Sequence, residues 1–227
     1  MNTLDNIVCI NLDSREDRWS ECLKEFKNLN IESLVQRYPA VPSKIGILGC
    51  TMSHVNCIKI AKEKKYKNVL ILEDDVVFNT DIFYDVLIKT FNQLDSNNLK
   101  YDMIYLGANL RGHDNKLIDK NLAKIVYAKA AHAYIVNSTI YDYIIDTYSK
   151  IDWNDEHLWN HQNPNRMNID TWYMNIQRLG NTYGTYPAIA DQRPSYSDLL
   201  KQHCDYKLSE NYNKILEKTT NSLTILL

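Results

Sequence analysis

The stretch Val69-Leu70-Ile71-Leu72-Glu73-Asp74-Asp75-Val76-Val77-Phe78 constrains this chain more than any other. Four consecutive apolar residues with no polar alternation need cover on both faces, as in a central strand of an α/β sheet. The run stops at three carboxylates and returns at once to Val76, Val77 and Phe78. A solvated turn would normally carry Gly, Asn, Pro or Ser there. Adjacent acids repel one another unless positive charge lies between them, so this strand end is expected to hold a divalent cation. Oxygen ligands, with no His or Cys nearby in sequence, favour Mg²⁺ or Mn²⁺ over zinc. In open α/β sheets, ligands bind beyond the carboxyl ends of the strands, which is where these acids fall.

The flanking sequence alternates strand and helix patterns. Residues 6–12 read as a buried strand, followed by a helix capped by Asp13 or Ser14 with the apolar stripe Trp19, Cys22, Leu23, Phe26 and Leu29. A short strand near 33–38 leads through a loop holding Pro39, Pro42, Gly46 and Gly49 to a helix over 50–65, which ends in Lys62, Lys64 and Lys65. After the acidic strand, helices are expected over 81–94, 139–149, 169–179 and 199–218, and strands near 103–106, 123–128, 132–136 and 183–190. Residues 152–168, polar and rich in Trp, His and Asn, read as a functional loop or lid. The expectation is an α/β sandwich with a central, mostly parallel sheet flanked by helices, formed by one domain over 1–227.

Composition narrows the function classes. The 44% hydrophobic and 24% charged content is that of an ordinary globular protein, and a net charge of −2 gives no basic field for nucleic acid. No apolar run approaches the roughly 20 residues of a membrane span. The opening Met-Asn-Thr-Leu-Asp-Asn has no signal-peptide pattern, so a cytoplasmic location is expected. The five cysteines are odd in number and include no Cys-x-x-Cys pair, which favours buried thiols in a reducing compartment.

Four segments, in order, carry a resemblance: Asn11-Leu12-Asp13-Ser14-Arg15-Glu16-Asp17-Arg18, Gly49-Cys50-Thr51-Met52-Ser53-His54, Leu72-Glu73-Asp74-Asp75, and Pro187 through Asp198. They look like the "NLxxRxDR", "GCxxSH", "LEDD" and "P…Q…SD" motifs of glycosyltransferase family 25, which includes lipooligosaccharide (lipopolysaccharide biosynthesis) galactosyltransferases and collagen hydroxylysine galactosyltransferases. The resemblance implies a GT-A type fold, a UDP-sugar donor, a divalent metal (Mn²⁺ or Mg²⁺) and inversion at the sugar carbon. It assigns Asp75 to the metal, Glu73 to the donor ribose and Asp74 to support of the site. Donor binding falls on Asn11, Leu12, Arg15, Arg18, Ser53, His54, Gln192, Ser197 and Asp198. Asp170, which opens a helix after a loop, is the implied general base, and His203 is available as a further metal ligand.

Each assignment has a plainer alternative. Arg15 and Arg18, one helical turn apart, suit a diphosphate or ribose, or they form a solvated face with Glu16 and Asp17. Ser53 and His54 are expected in the first turns of their helix, where free N–H groups attract phosphate, although a lone His is often internal. Asp170 at a helix start is also stabilised by the macrodipole alone. Cys50 reads as structural, and Trp153, Trp159 and Trp172 as sugar platforms or core.

The leading expectation is therefore a metal-dependent inverting transferase moving a hexose, galactose or glucose, from a UDP-sugar to a hydroxyl acceptor on a glycan or a protein. The rivals are a nucleotide-sugar or carbohydrate-binding protein that has lost turnover, a phosphatase with an Asp nucleophile, and an interaction module. The phosphatase is disfavoured because the first acid is Glu73 and no Ser or Thr follows where expected. The apolar segment 222–227 is expected to dock on the body or on a partner subunit, which leaves a homodimer open.

Overall fold

The apolar run at 69–72 lies inside an eight-stranded sheet in the computed structural model, which describes residues 4–112, 114–160, 162–197, 202–205 and 207–224. The elements begin with β1 (Asn6–Asn11), α1 (Glu16–Asn28), β2 (Val35–Pro39), α2 (Gly46–Glu63), β3 (Asn68–Glu73), β4 (Val76–Phe78) and α3 (Phe83–Ser96). There follow β5 (Met103–Tyr105), β6 (Asn109–Leu110), β7 (Lys116–Asp119), β8 (Leu122–Lys124), β9 (Ala128–Lys129), β10 (Ala133–Asn137) and α4 (Tyr141–Ser149). The last are α5 (Ile169–Trp172), α6 (Met174–Leu179), β11 (Thr182–Thr185), β12 (Ala190–Gln192), β13 (Ser195–Ser197), β14 (Gln202–Cys204) and α7 (Leu208–Thr224).

The sheet order is β2-β1-β3-β10-β5-β11-β8-β7. β1 is parallel to β2 and β3, and β5 to β11, while β10 and β8 are antiparallel to both of their neighbours. Six of the eight strands therefore run one way. This is the α/β arrangement expected, with a mostly parallel sheet flanked by helices. Successive residues of β3 serve opposite faces. Val69 and Ile71 belong to the same apolar cluster as Val55 and Ile58 of α2, Ile144 of α4 and Leu216 of α7. Leu70 and Leu72 pack with Cys22 and Phe26 of α1 and Val86 and Phe91 of α3. Leu70, Ile71 and Leu72 are each 0% exposed, so the two-sided cover inferred from the missing alternation is met.

Several boundaries differ from expectation. α1 begins at Glu16 with Arg15 at its cap position, and neither Asp13 nor Ser14 caps it. α2 begins at Gly46, not at 50. Gly49 lies within it, because a Cβ there would stand 2.4 Å from the Val41 carbonyl oxygen; the glycine serves close packing and does not break the helix. The final helix starts only at Leu208, because residues before it form the β13–β14 hairpin. Residues 152–168 are not an open lid. Trp153 stacks between Tyr148 at 5.7 Å and Trp159 at 5.4 Å, and Trp159 and Trp172 are buried. The stacked rings anchor the loop, with Trp153 half-buried between its partners in sequence and Trp159 and Trp172 in the core. Residues 225–227 of the apolar tail lie outside the described residues. No described helix is long and apolar enough to cross a membrane.

Candidate active site

Because β1 and β3 are parallel, Asn11 and Glu73 finish at the same edge of the sheet, and a cleft of about 710 Å³ opens there. That volume suits a bound small molecule. Among the described residues its wall carries six basic side chains (Arg15, Arg18, Lys44, Lys129, Arg166, Arg193) against four carboxylates (Glu73, Asp74, Asp75, Asp170). The whole chain is net negative, so this positive excess is local and fits an anionic ligand.

The three strand-end acids separate into three environments. Asp74 is tied down: Arg18 Nη1 donates to its Oδ1 at 2.6 Å and Asn11 Nδ2 to its Oδ2 at 2.7 Å. Asn11 is itself held by Arg37, whose Nε and Nη2 donate to Asn11 Oδ1 at 2.9 and 2.6 Å. Glu73 Oε1 lies 3.2 Å from His54 Nε2. Burial pushes the Glu73 carboxyl up, but the hydrogen bond and charge of His54, with His132 and Arg18 nearby, outweigh it and leave the pKa lowered. Among the described residues the Asp75 carboxylate has only long contacts, with Gln192 Nε2 at 3.4 Å and Arg18 Nη1 at 3.6 Å. Burial, then repulsion from Glu73 with a further push from Asp74, raises its pKa to about 7 against the pull of Arg18. The repulsion foreseen among adjacent acids is thus relieved at Asp74 and Glu73 by protein side chains and left standing at Asp75.

That residue tests the fit of a hard cation. Asp75 offers an oxygen ligand whose ionised form is disfavoured until a cation compensates it and which lacks a close partner among the described residues, as suits a Mg²⁺ or Mn²⁺ site whose remaining ligands are mostly waters and phosphate oxygens. His203 does not join it. Expected in a helix, it is exposed on β14, where its ring meets Tyr196 edge-on at 5.7 Å, and it does not line the cleft.

Arg18 also donates to Ser195 Oγ at 2.9 Å and to the Tyr196 carbonyl at 3.0 Å, clamping β13 over the acids. Arg15 and Leu12 line the cleft, with Arg15 also paired to Asp17 at 2.8 Å. That hydrogen bond pulls the Asp17 carboxyl down to about 2. Ser53 is a correction. With α2 starting at Gly46, it lies two turns in, donates to the Gly49 carbonyl at 2.7 Å and accepts from Val41 N–H at 2.9 Å, away from the cleft. His54 is likewise beyond the free N–H groups of the helix start. It is fully buried yet reaches the cleft, with Nδ1 2.9 Å from the Tyr134 hydroxyl, which lies 2.7 Å from the Tyr173 hydroxyl.

Asp170 lies in the same cleft, on α5. Thr51 Oγ1 accepts from Ile169 N–H at 3.1 Å, fastening that helix to α2. Asn168 Nδ2 donates to Asp170 Oδ1, and burial followed by repulsion from Glu73 raises the Asp170 pKa, against a lowering from Lys129. Gln192 lines the cleft beside Asp75; Ser197 lies in β13, while its side chain and the whole of Asp198 fall outside the described residues. Sequence reasoning missed Arg37, Ser195, Thr51, Lys129 and Arg166. Thr51 and Ser195 stand at unassigned positions within two of the matched segments, no motif holds Arg37, Lys129 or Arg166, and the fold brings them to the site.

Sheet and cleft define an α/β protein with a cleft rich in basic side chains at its strand ends. Residues 43–159, just over half of the chain, match the family model described as Glycosyltransferase family 25 (LPS biosynthesis protein). The chain belongs to this family of glycosyltransferases. It is 28% identical over 154 residues to a glycosyltransferase 25 family member of Drosophila melanogaster, covering 56% of this chain and 24% of that one. It is 29% identical over 129 residues to human procollagen galactosyltransferase 2, covering 45% of this chain and 20% of that one. The chain thus matches about a quarter or less of the length of these relatives. A glycosyltransferase involved in glycosylating the major capsid of PBCV-1 is a distant structural likeness, at TM-score 0.42 and 12% identity over 80% of this chain and 91% of that one.

Proposed function

We propose that this chain is a metal-dependent, inverting hexosyltransferase, carrying galactose or glucose from a UDP-sugar to a hydroxyl on a glycan or a glycosylatable protein, with 1–227 acting as one transferase domain. One observation carries the reading: Asp75, whose carboxylate has no close partner among the described residues, and Asp170, with a raised pKa, share a basic cleft. The galactosyltransferase name of the human relative supports the sugar class.

The basic side chains attract the diphosphate, and Arg18 with Asn11 keeps the acid turn rigid beneath it. Mn²⁺ or Mg²⁺ held by Asp75 would neutralise charge on the departing diphosphate. The acceptor oxygen attacks the anomeric carbon while the bond from that carbon to the diphosphate oxygen breaks. UDP leaves with the bonding pair, and the hydroxyl proton passes to the Asp170 carboxylate, whose raised pKa makes it a stronger base. A single in-line displacement inverts the sugar carbon.

The test is UDP release from a panel of UDP-sugars with Mn²⁺, with and without chelator, beside a thermal-shift assay with UDP and Mn²⁺. Chelator-sensitive release that Asp75→Asn abolishes is expected. Absence of both release and thermal shift overturns the reading. Binding without release from any donor or glycan acceptor reduces it to a nucleotide-sugar-binding protein.

A further inference from the structure

We propose that Cys50, His54 and Glu73 form a second cation site in this cleft, built for a borderline-soft divalent ion of the zinc class. Among the described residues these three make the only group of His, Cys, Asp or Glu side chains whose ligand atoms all lie within 4.8 Å of one another. Cys50 and His54 are four residues apart on α2 and so share a face, and Glu73 meets them from the end of β3. All three line the cleft.

A thiolate, an imidazole and a carboxylate make a sulfur–nitrogen–oxygen set, which selects zinc or cobalt over the magnesium and manganese that an oxygen-only set prefers. Three protein ligands leave a fourth tetrahedral position facing the cleft. Zinc bonds of about 2.0–2.3 Å require the group to close slightly on binding. His54 is already braced. Its Nδ1 lies 2.9 Å from the Tyr134 hydroxyl, backed by Tyr173 at 2.7 Å, the outer partnership that fixes a ligating imidazole.

The chemistry balances without a redox step. Burial and the neighbouring acids keep the Cys50 thiol protonated in the free protein. On binding, sulfur and His54 Nε2 bond to the cation; the thiol proton passes to solvent, and Nε2 gives up the proton it donates to the Glu73 carboxylate, leaving a neutral ring protonated at Nδ1, which donates to the Tyr134 hydroxyl. The Cys50 thiolate and the Glu73 carboxylate together offset the ion's double charge. Occupancy draws Glu73 and His54 onto the ion and places it in the cleft, so zinc is expected to block sugar transfer. That consequence rests on the proposed function; the binding does not.

Cobalt titrated into the full chain is the direct test. Expected are one equivalent bound, tetrahedral visible bands, a near-ultraviolet thiolate-to-cobalt charge-transfer band, and displacement by zinc. Cys50→Ser removes the charge-transfer band, while Cys204→Ser, at the other cleft-lining thiol, keeps it. No such band, or one that survives Cys50→Ser, overturns the site. Zinc K-edge absorption on the Cys204→Ser chain reads the same point without altering Cys50: one sulfur neighbour at about 2.3 Å is expected, and an all-nitrogen-and-oxygen shell overturns it. A thiolate signature in a protein that turns over no UDP-sugar leaves this site standing and removes the transferase reading. UDP release that persists at full zinc occupancy overturns the inhibition.

Discussion

Replacing Arg18 with Ala probes whether the acid turn is held by the protein itself. The guanidinium meets Asp74 Oδ1 at 2.6 Å, Ser195 Oγ at 2.9 Å and the Tyr196 carbonyl at 3.0 Å, with the Arg18 and Asp74 side chains only 14% and 12% exposed. Removing one partner of a buried pair strands the other charge and costs about 3–5 kcal/mol. The residual exposure puts Arg18→Ala at the low end, about 3 kcal/mol. With a urea slope of about 3 kcal/mol per M, the unfolding midpoint should fall by about 1 M. Chelator in the buffer keeps a divalent ion from taking the guanidinium's place. Asp74→Asn alone, and then the double variant, complete a cycle whose coupling term should be about 2 kcal/mol. A loss within about 0.5 kcal/mol for Arg18→Ala is the behaviour of a solvated surface pair. That result would refute the claim that this arginine neutralises the turn.

Asp170→Asn should lower kcat by about 10²–10⁴-fold while changing the donor KM much less, as loss of a general base requires. Because burial and Glu73 raise the Asp170 pKa, wild-type turnover should fall as pH drops through a value above the ordinary Asp range, and that limb should vanish in the variant. The stability sign follows from the same shift. The Asp170 contribution is fully present below the unfolded pKa and is lost as pH rises through the folded one. Asp170→Asn should therefore be more stable than wild type at neutral pH, with the gap closing in acid, as paired urea melts will show. Gly49→Ala drives a Cβ to 2.4 Å from the Val41 carbonyl oxygen. It should cost about 1–3 kcal/mol, and an unchanged melting temperature would show that α2 can retreat freely.

The parts of the fold set by long apolar runs were legible in the chain. β3 declared itself by lacking alternation, and α1 by the 3.6-residue spacing of Trp19, Cys22, Phe26 and Leu29. Strands of two to four residues, such as β6, β7 and β9, carry too few side chains to show a period. β14 falls where a helix over 199–218 is expected, because the polar and apolar residues there mimic an amphipathic repeat. At the site, the acids and arginines were legible because motifs hold them close in sequence. Arg37 and Thr51 were not, since the first works through Asn11 and the second through a single backbone bond to Ile169. Ser53 was misplaced for one reason: two glycines suggested a loop where the helix had already begun.

The same error in the helix start hid the relation between Cys50, His54 and Glu73. A helix that begins at 50 offers its first residues as backbone donors, so the motif reads as a phosphate cradle. One that begins at Gly46 presents Cys50 and His54 as side chains one turn apart, aimed at the end of β3. The strand end then divides its three acids by partner: Asp74 to Arg18 and Asn11, Glu73 to the imidazole and thiol of α2, and Asp75 to the open cleft. Carboxylates one residue apart in the chain thereby face a guanidinium, a soft ligand pair and an anion-sized space. Chemically distinct cations can compete for this one strand end because their ligands are distinct, and that competition is what the zinc and manganese experiments separate.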